Sequence, residues 1–205
     1  MFTFLESANK YSCDNIKSNE FEKNQKLNFE LRTTNKHDEI WINAQQTKIS
    51  NQFGVDGVDV IPILKKDNKK YIILIKQFRP PIRKWIIEFP SGYIDETDKS
   101  IEEAGIRELK EETGYTVTKV IRSTKKGQYL NPSVTSDLDA IMIVEIDGND
   151  AINKDPKQSL DETEDVSEVI QVEYNKLLEY CDKIIENGEV EISTQVYTFA
   201  LSSLF

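Results

Sequence analysis

Three glutamates crowd the short segment RELKEETGY, residues 107–115. Glu108, Glu111 and Glu112 stand at the i, i+3 and i+4 spacing that places side chains on one face of a helix, where like charges repel each other. The same spacing gathers hard oxygen ligands, and Mg²⁺ in proteins is commonly held by carboxylates together with waters and substrate phosphates. Two interpretations are open at this point: a solvated acidic face, or a site whose repulsion a divalent cation relieves.

The helix that carries these glutamates is predicted to pack through its opposite side. At 100° per residue, Ile106, Leu109 and Thr113 fall on one stripe and the acids fall on another. We therefore expect the first stripe to face the core and the glutamates to point away from it.

The rest of the chain has the pattern of a sheet with a few helices. Two segments near the N-terminus alternate apolar and polar residues and predict a β-hairpin. The apolar, β-branched runs after them predict central strands. Strands and helices do not alternate strictly, so the fold class is α/β or α+β, with a mixed sheet between helices. The predicted strands are 26–34, 38–47, 58–66, 70–78, 85–90, 139–146 and 167–174, and the later predicted helices are 175–188 and 194–205.

Two polar stretches interrupt this pattern. Residues 1–22 show no periodicity and predict a loosely held arm. Residues 147–165 predict a loop of about 19 residues, and loops of that length in compact domains are usually functional or disordered.

The overall composition argues against several classes of partner. The 205 residues carry a net charge of −10, and an acidic chain repels phosphate backbones, so nucleic acid is not the expected partner. No segment is apolar enough to span a membrane, and the N-terminus does not resemble a signal peptide. The two cysteines, Cys13 and Cys181, lack metal-type spacing and favour a reducing compartment. We expect a cytoplasmic protein, with a nuclear location left open.

The glutamate segment resembles the Nudix box, G-x5-E-x7-R-E-U-x-E-E-x-G-U, in which U is a bulky apolar residue. The second half of that pattern matches in full, and a chance match of this length is improbable. The matching residues are Arg107, Glu108, Leu109, Glu111, Glu112, Gly114 and Tyr115.

The first half of the box departs from the pattern by one residue. Between Gly92 and Arg107 the spacing is one residue longer than in the family, which puts Lys99 where the first glutamate belongs. We expect a one-residue insertion in this loop, with either Glu96 or Asp98 replacing the missing acid. In the family, that acid mainly braces the loop against the arginine of the box.

The residues before the box narrow the resemblance to one branch. The segment KQFRPPIRKWIIEFPSG, residues 76–92, is similar to the ADP-ribose and ADP-sugar diphosphatases. The resemblance implies a Nudix α/β/α sandwich with a mixed sheet over residues 53–205. It also implies an N-terminal arm and β-hairpin subdomain over residues 1–52, commonly used to form a homodimer and to supply an aromatic side chain to the substrate.

The resemblance also implies a reaction, which is metal-assisted hydrolysis of a diphosphate. The expected cofactor is Mg²⁺, with Mn²⁺ as an alternative. The expected metal ligands are Glu108, Glu111, Glu112 and the carbonyl oxygen of Ser91, while Arg107 is expected to brace the loop. The physical reason is independent of the family, because a cation held by carboxylates neutralises developing charge on a phosphate and orients water.

The general base is predicted from the long loop. The fragment DETEDVSEV, residues 161–169, resembles the part of the branch that carries this base, which points to Glu164. A second alignment points to Asp165 instead, and both acids could simply be solvated.

Three further residues are candidates for substrate binding. Arg79 stands between a strand and two prolines and is suited to a phosphate, with a surface ion pair as its alternative. Trp41 is expected to stack on adenine or to pack within a dimer, and Glu88 is expected near the metal. The single histidine, His37, argues against histidine-based nucleophilic catalysis.

The preferred function is therefore Mg²⁺-dependent hydrolysis of ADP-ribose or another ADP-sugar to AMP and a sugar phosphate. The same chemistry on another nucleoside diphosphate derivative is the alternative, because the box builds a metal site and not a specificity pocket. A non-catalytic nucleotide-binding protein is less favoured, since all three glutamates of the box are present.

Overall fold

The computed structural model describes residues 27–33, 40–46, 53–79, 82–160 and 166–205. The chain forms two compact units. The first comprises Met1–Lys48 and Asn131–Ser136, and the second comprises Ile49–Leu130 and Asp137–Phe205. The described part of the first unit is mainly an antiparallel hairpin, in which Leu27 lies opposite Gln46.

Eleven strands and three α-helices are described in these ranges. The strands are β1 Leu27–Thr33, β2 Ile40–Gln46, β3 Gly57–Lys66, β4 Lys69–Arg79, β5 Lys84–Glu88, β6 Ser91–Tyr93, β7 Lys119–Ser123, β8 Gln128–Tyr129, β9 Leu138–Asp147, β10 Val166–Glu173 and β11 Glu191–Ile192. The helices are α1 Ile101–Thr113, α2 Leu177–Asn187 and α3 Thr194–Leu201.

The second unit is built on one mixed sheet. Its main strand order is β11-β5-β4-β3-β9-β7, with β10 beside β4, β6 beside β3 and β8 beside β9. The pairs β3–β9 and β5–β11 are parallel, whereas β3–β4 and β4–β5 are antiparallel. The predicted mixed sheet between helices is confirmed.

The central strands are apolar on both faces, because helices cover both sides of the sheet. Val60 of β3 and Ile73 of β4 belong to a core cluster that includes Leu109 of α1. The neighbouring residues Ile61 and Ile72 belong to a second cluster, which contains side chains of α2 and α3. Successive side chains of each strand therefore point to opposite faces of the sheet and pack into two separate cores, one under each layer of helices.

Helix α1 has defined signals at both ends. Ser100 is its N-cap, and the Ser100 hydroxyl accepts a hydrogen bond from the Glu103 N–H at 3.0 Å, while the Glu103 carboxylate accepts one from the Lys99 N–H at 2.9 Å. The pair resembles a capping box, except that the carboxylate binds the N–H of the residue before the N-cap. Gly114 ends the helix with φ of 74°, a left-handed conformation that glycine adopts without strain. Gly105 faces the sheet, where an added Cβ would overlap Met142.

The burial of α1 corrects the predicted orientation of its faces in part, because Leu109 and Thr113 are buried as expected. Ile106 was expected in the core, but 37 % of it is exposed, whereas Glu108 and Glu112 are only 5 % and 2 % exposed. The buried face runs through Gly105, Glu108, Leu109 and Glu112, and two of the glutamates therefore border the core instead of pointing away from it.

The predicted 147–165 loop contains structure where it is described. A short 3₁₀ helix spans Ala151–Asn153, and Asn153 is buried. None of the helices described in these ranges is both long and apolar enough to cross a membrane.

Candidate active site

The short strand β6, which we call the glycine strand, belongs to the sheet and contacts helix α1. It pairs with the start of β3, with Val58 opposite Gly92 and Asp59 opposite Ser91. A Cβ added to Gly92 would overlap the carboxyl group of Glu108. The absence of a side chain at Gly92 is therefore what lets a glutamate of the helix lie against the strand.

Arg107 joins the acids of the helix to the loop before it. Its Nη1 donates to Glu108 at 2.8 Å and to Glu111 at 3.0 Å. Its Nη2 donates to the Tyr93 carbonyl at 3.0 Å and to Asp98 at 2.9 Å, and its Nε donates to Asp98 at 3.2 Å. One guanidinium thus connects two of the three glutamates to β6 and to the box loop.

The structure shows that Asp98 replaces the missing acid of the motif. Burial alone would raise the pKa of Asp98, but hydrogen bonds from Arg107 and from the Asp95 N–H hold this pKa below its usual value. Burial likewise opposes the charge on Arg107, but Asp98 and Glu108 outweigh it and raise the pKa of the guanidinium. Both groups are therefore charged in the folded protein, and Glu96 is not needed for the brace.

Glu112 faces the strand on the other side of the cluster. Its Oε2 accepts a hydrogen bond from the Ser91 N–H at 2.9 Å. The Ser91 backbone is thus directly linked to a carboxylate of α1. Ser91 is thus joined to Glu112, and Arg107 joins Glu108 to Glu111. The role of these four residues as metal ligands stays a prediction.

The donor set of this cluster fits a hard divalent cation. It offers three carboxylates on one helix, and one cationic group of Arg107 already bridges two of them. Hard oxygen donors of this kind suit Mg²⁺ or Mn²⁺. Within the described ranges, however, no group of three histidine, cysteine, aspartate or glutamate side chains is already arranged around a common metal position. Glu108 and Glu111 are instead turned towards Arg107.

The two predicted substrate residues of the sheet contact each other. Arg79, the last residue of β4, donates from Nε to Glu88 of β5 at 2.7 Å. The Arg79 side chain is 41 % exposed and that of Glu88 is 18 % exposed. The alternative of an ion pair is therefore observed, and Arg79 remains accessible enough to meet an anion.

Asp59 is a site residue that the sequence analysis missed. It lies in β3 opposite Ser91, and its Oδ2 is buried with no hydrogen-bond partner among the described residues. Burial, followed by the charges of Asp139 and Glu88, raises the pKa of Asp59 to about 7, against smaller opposing effects of Arg79 and Gln195. The only sequence signal was an acid inside the apolar run VDVIPIL.

The substitution Asp59→Asn is expected to stabilise the protein more at pH 8 than at pH 5. The folded-state pKa of Asp59 lies above the unfolded value, so the folded state holds an extra proton between about pH 4 and 7, and the free energy of unfolding falls as pH rises through that window. Asparagine does not ionise and escapes this loss. We expect the gain at pH 8 to exceed the gain at pH 5 by roughly 1–2 kcal/mol, or roughly 2–8 °C in melting temperature.

Thermal unfolding between pH 4.5 and 8.5 measures this effect. Asp155→Asn is the matched control, because the Asp155 side chain is 85 % exposed and should change the melting temperature little at any pH. An equal shift for Asp59→Asn at pH 5 and pH 8 would contradict the assignment of a buried, proton-binding carboxyl group.

The side chains of three predicted site residues lie outside the part of the chain that the structure describes. Trp41 lies in β2, but its side chain lies outside the described part of the chain. Glu164 and its alternative Asp165 also lie outside the described residues. Their roles stay predictions.

The fold and the site together define a class of hydrolase. In this chain, the helix with the pattern R-E-x-x-E-E-x-G contacts the glycine strand β6 of the mixed sheet. Residues 55–186 match the family described as NUDIX domain, and the chain belongs to that family.

Curated relatives place the chain more finely. It is 34 % identical over 166 residues to "Putative nudix hydrolase 2" of Caenorhabditis elegans, covering 81 % of this chain and 73 % of the relative. It is 34 % identical over 148 residues to the mouse "ADP-sugar pyrophosphatase", covering 72 % and 66 %. It is 38 % identical over 150 residues to the "ADP-ribose pyrophosphatase" of Saccharomyces cerevisiae, covering 72 % and 63 %. The predicted branch and the prediction of a hydrolase are confirmed.

Proposed function

We propose that the protein hydrolyses the diphosphate of ADP-ribose, and of related ADP-sugars, in a reaction that depends on Mg²⁺. The observation that carries this proposal is the cluster of Glu108, Glu111 and Glu112 held between Arg107 and the Ser91 N–H. The choice of substrate is supported by relatives named ADP-sugar and ADP-ribose pyrophosphatase. The products from ADP-ribose are AMP and ribose 5-phosphate.

The residues that would hold the metal are the three glutamates and the carbonyl oxygen of Ser91. When bound there, Mg²⁺ (or Mn²⁺) would neutralise negative charge on the diphosphate and lower the pKa of a bound water. Arg107 is proposed to keep Glu108 and Glu111 in place and to hold the loop through Asp98, without contacting the substrate.

The reaction adds one water across the diphosphate. The oxygen of the water bonds to one phosphorus as the bond from that phosphorus to the bridging oxygen breaks, and Glu164 is proposed to accept a proton of the water. The described residues on either side of this segment contact the site, which supports this role for Glu164 or for its alternative Asp165. Ser159 donates its N–H to the Glu111 carbonyl at 2.8 Å, and Val166 pairs with Gln77, two residues before Arg79.

The remaining predicted contacts concern the substrate. Arg79 is proposed to bind a phosphate, since its guanidinium is half accessible and held by Glu88 on one side. Glu88 is proposed to lie near the metal, and Trp41 to stack on the adenine ring. These two roles rest on the resemblance to the branch.

Incubation of the purified protein with ADP-ribose and Mg²⁺ tests the proposal. We expect AMP and ribose 5-phosphate in equal amounts, quantified by chromatography, and no product when a chelator replaces Mg²⁺. Hydrolysis of another substrate but not of ADP-ribose would support the proposed reaction and contradict the proposed substrate. The substrates to compare are other nucleotide sugars, dinucleotides and oxidised nucleotides. No hydrolysis of any diphosphate with Mg²⁺ or Mn²⁺ would overturn the proposal.

The proposed partner is a small nucleoside diphosphate derivative, and neither nucleic acid nor membrane is expected to be one. A homodimer is also proposed, from the resemblance to the branch, and a solution mass near 23.7 kDa, the mass of one chain, would refute it. The cytoplasmic location stays a prediction.

A further inference from the structure

Two of the proposed metal ligands lie at the end of a helix. Glu111 and Glu112 are within the last three residues of α1, which ends at Thr113. The last four carbonyls of a helix lack partners within it, and helix ends fray when those carbonyls stay uncapped. A frayed last turn would move both carboxylates, so this end of α1 must be held for the backbone of Glu111 and Glu112 to be in place before the metal arrives.

Several carbonyls in the last turn of α1 have partners from outside its regular hydrogen-bond pattern. Thr113 Oγ1 donates to the Leu109 carbonyl at 2.5 Å, and the Gly114 N–H donates to the Lys110 carbonyl at 2.9 Å. The other two partners come from a distant part of the chain. The Ser159 N–H donates to the Glu111 carbonyl at 2.8 Å, and Gln158 Nε2 donates to the Glu112 carbonyl at 2.7 Å.

The segment that supplies these two donors, residues 150–159, is itself fixed against the end of the helix, and we call it the capping segment. Its buried Asn153 accepts from the Thr116 N–H at 2.7 Å and donates to the Thr116 carbonyl at 3.1 Å. Next to the helix end, a Cβ added to Gly114 would overlap the backbone of Lys157. Gly114 therefore serves both the left-handed turn and the close approach of the capping segment.

We propose that Gln158 and Ser159 are positioning residues for the metal site, acting through the backbone of Glu111 and Glu112. This inference rests on the proposed function, because it takes these two glutamates as metal ligands. The capping segment keeps the last turn of α1 helical in the metal-free protein, so that the backbone that carries both carboxylates needs no reordering when the cation binds. The two residues contact neither the substrate nor the metal.

Neutral substitutions that remove one donor each test this role. Gln158→Met removes the side-chain N–H with little change of size, and Ser159→Pro removes the backbone N–H that reaches Glu111. Ser159→Ala is the matched control for the second variant, because it alters the side chain and keeps the N–H. None of these changes alters the net charge, so a change in cation affinity is not an effect of long-range electrostatics.

Two readouts are needed, and one of them involves no metal. In the metal-free protein, hydrogen exchange of a peptide covering 107–116 should become about fivefold faster in Gln158→Met and Ser159→Pro, as expected for the loss of one hydrogen bond. Exchange in α2 should not change. The dissociation constant for Mn²⁺, measured by electron paramagnetic resonance, should rise about threefold to tenfold, while kcat for ADP-ribose at saturating Mg²⁺ stays at the wild-type value. Ser159→Ala should match the wild type in every measurement.

Unchanged exchange and unchanged Mn²⁺ affinity in both variants would overturn the inference. A fall in kcat at saturating Mg²⁺ would also contradict it, since Gln158 or Ser159 would then act on the chemical step. Failure of the proposed function has a different signature, in which Glu112→Gln leaves Mn²⁺ binding intact. In that case Glu112 is not a ligand and the capping segment is only structural.

Discussion

Glu112→Gln is expected to lower kcat for ADP-ribose at least a hundredfold, or roughly 2.7 kcal/mol of transition-state stabilisation, while the protein stays folded. The Glu112 carboxylate is buried and accepts the Ser91 N–H at 2.9 Å. A glutamine carbonyl can accept the same hydrogen bond, so the backbone link to β6 survives. Only the negative charge is lost, and with it the attraction for a divalent cation.

The effect of this substitution is measured as kcat at saturating Mg²⁺, beside the melting temperature and the circular dichroism spectrum. Glu102→Gln is the matched control, because it makes the same change in the first turn of the same helix, outside the cluster around Arg107. We expect the control to retain wild-type kcat. Wild-type kcat in Glu112→Gln would remove this residue from the site.

The chemistry of the helix could be predicted from its sequence because it depends on local spacing. Residues at i, i+3 and i+4 share a face in any α-helix, so the grouping of Glu108, Glu111 and Glu112 required no knowledge of the fold. The direction in which that face points depends on how the helix packs against the rest of the fold. The prediction for Ile106 was wrong, because α1 packs through Gly105 and turns Glu108 and Glu112 towards the glycine strand.

Contacts between distant parts of the chain could not be predicted in the same way. The choice between Glu96 and Asp98 depended on which side chain reaches Arg107 across the loop, a distance that the sequence does not encode locally. Asp59 was overlooked because an acid inside an apolar strand carries no periodic signal. The donors Gln158 and Ser159 are separated from Glu112 by more than forty positions, as the 46-residue separation of the Gln158 bond shows.

The strands also divide into those that the local sequence pattern predicts and those that it does not. The long strands β3, β4, β9 and β10 carry enough apolar residues to be recognised, and both sides of the sandwich follow from their two-sided burial. The shortest strands were not predicted, since two or three residues cannot display an alternation. One of these is β6, whose residues Ser91–Tyr93 provide the backbone of the site.

Arg107→Met is expected to lower the free energy of unfolding by roughly 3 kcal/mol, a typical cost of removing one partner from a buried ion pair. The Asp98 side chain is 3 % exposed, and that of Glu108 is 7 % exposed. Without the guanidinium, both carboxylates would remain buried with their main cationic partner gone. The melting temperature should fall by roughly 6–12 °C, and the loop should lose its hydrogen bond at the Tyr93 carbonyl.

A double-mutant cycle separates the lost ion pair from other effects of the substitution. Adding Asp98→Asn to Arg107→Met should restore part of the stability, because the buried charge left behind is removed. The loss in Arg107→Met should also shrink at low pH, since stability that depends on a depressed carboxyl pKa disappears as pH falls through that pKa.

Arg122→Met, on the exposed part of β7, is the control and should change the melting temperature by little. A loss below about 1 kcal/mol, typical of surface ion pairs, together with no recovery in the double mutant, would mean that Arg107 does not brace the box loop. In that case, the capped end of α1 and the glycine strand would hold the glutamates in place without Arg107.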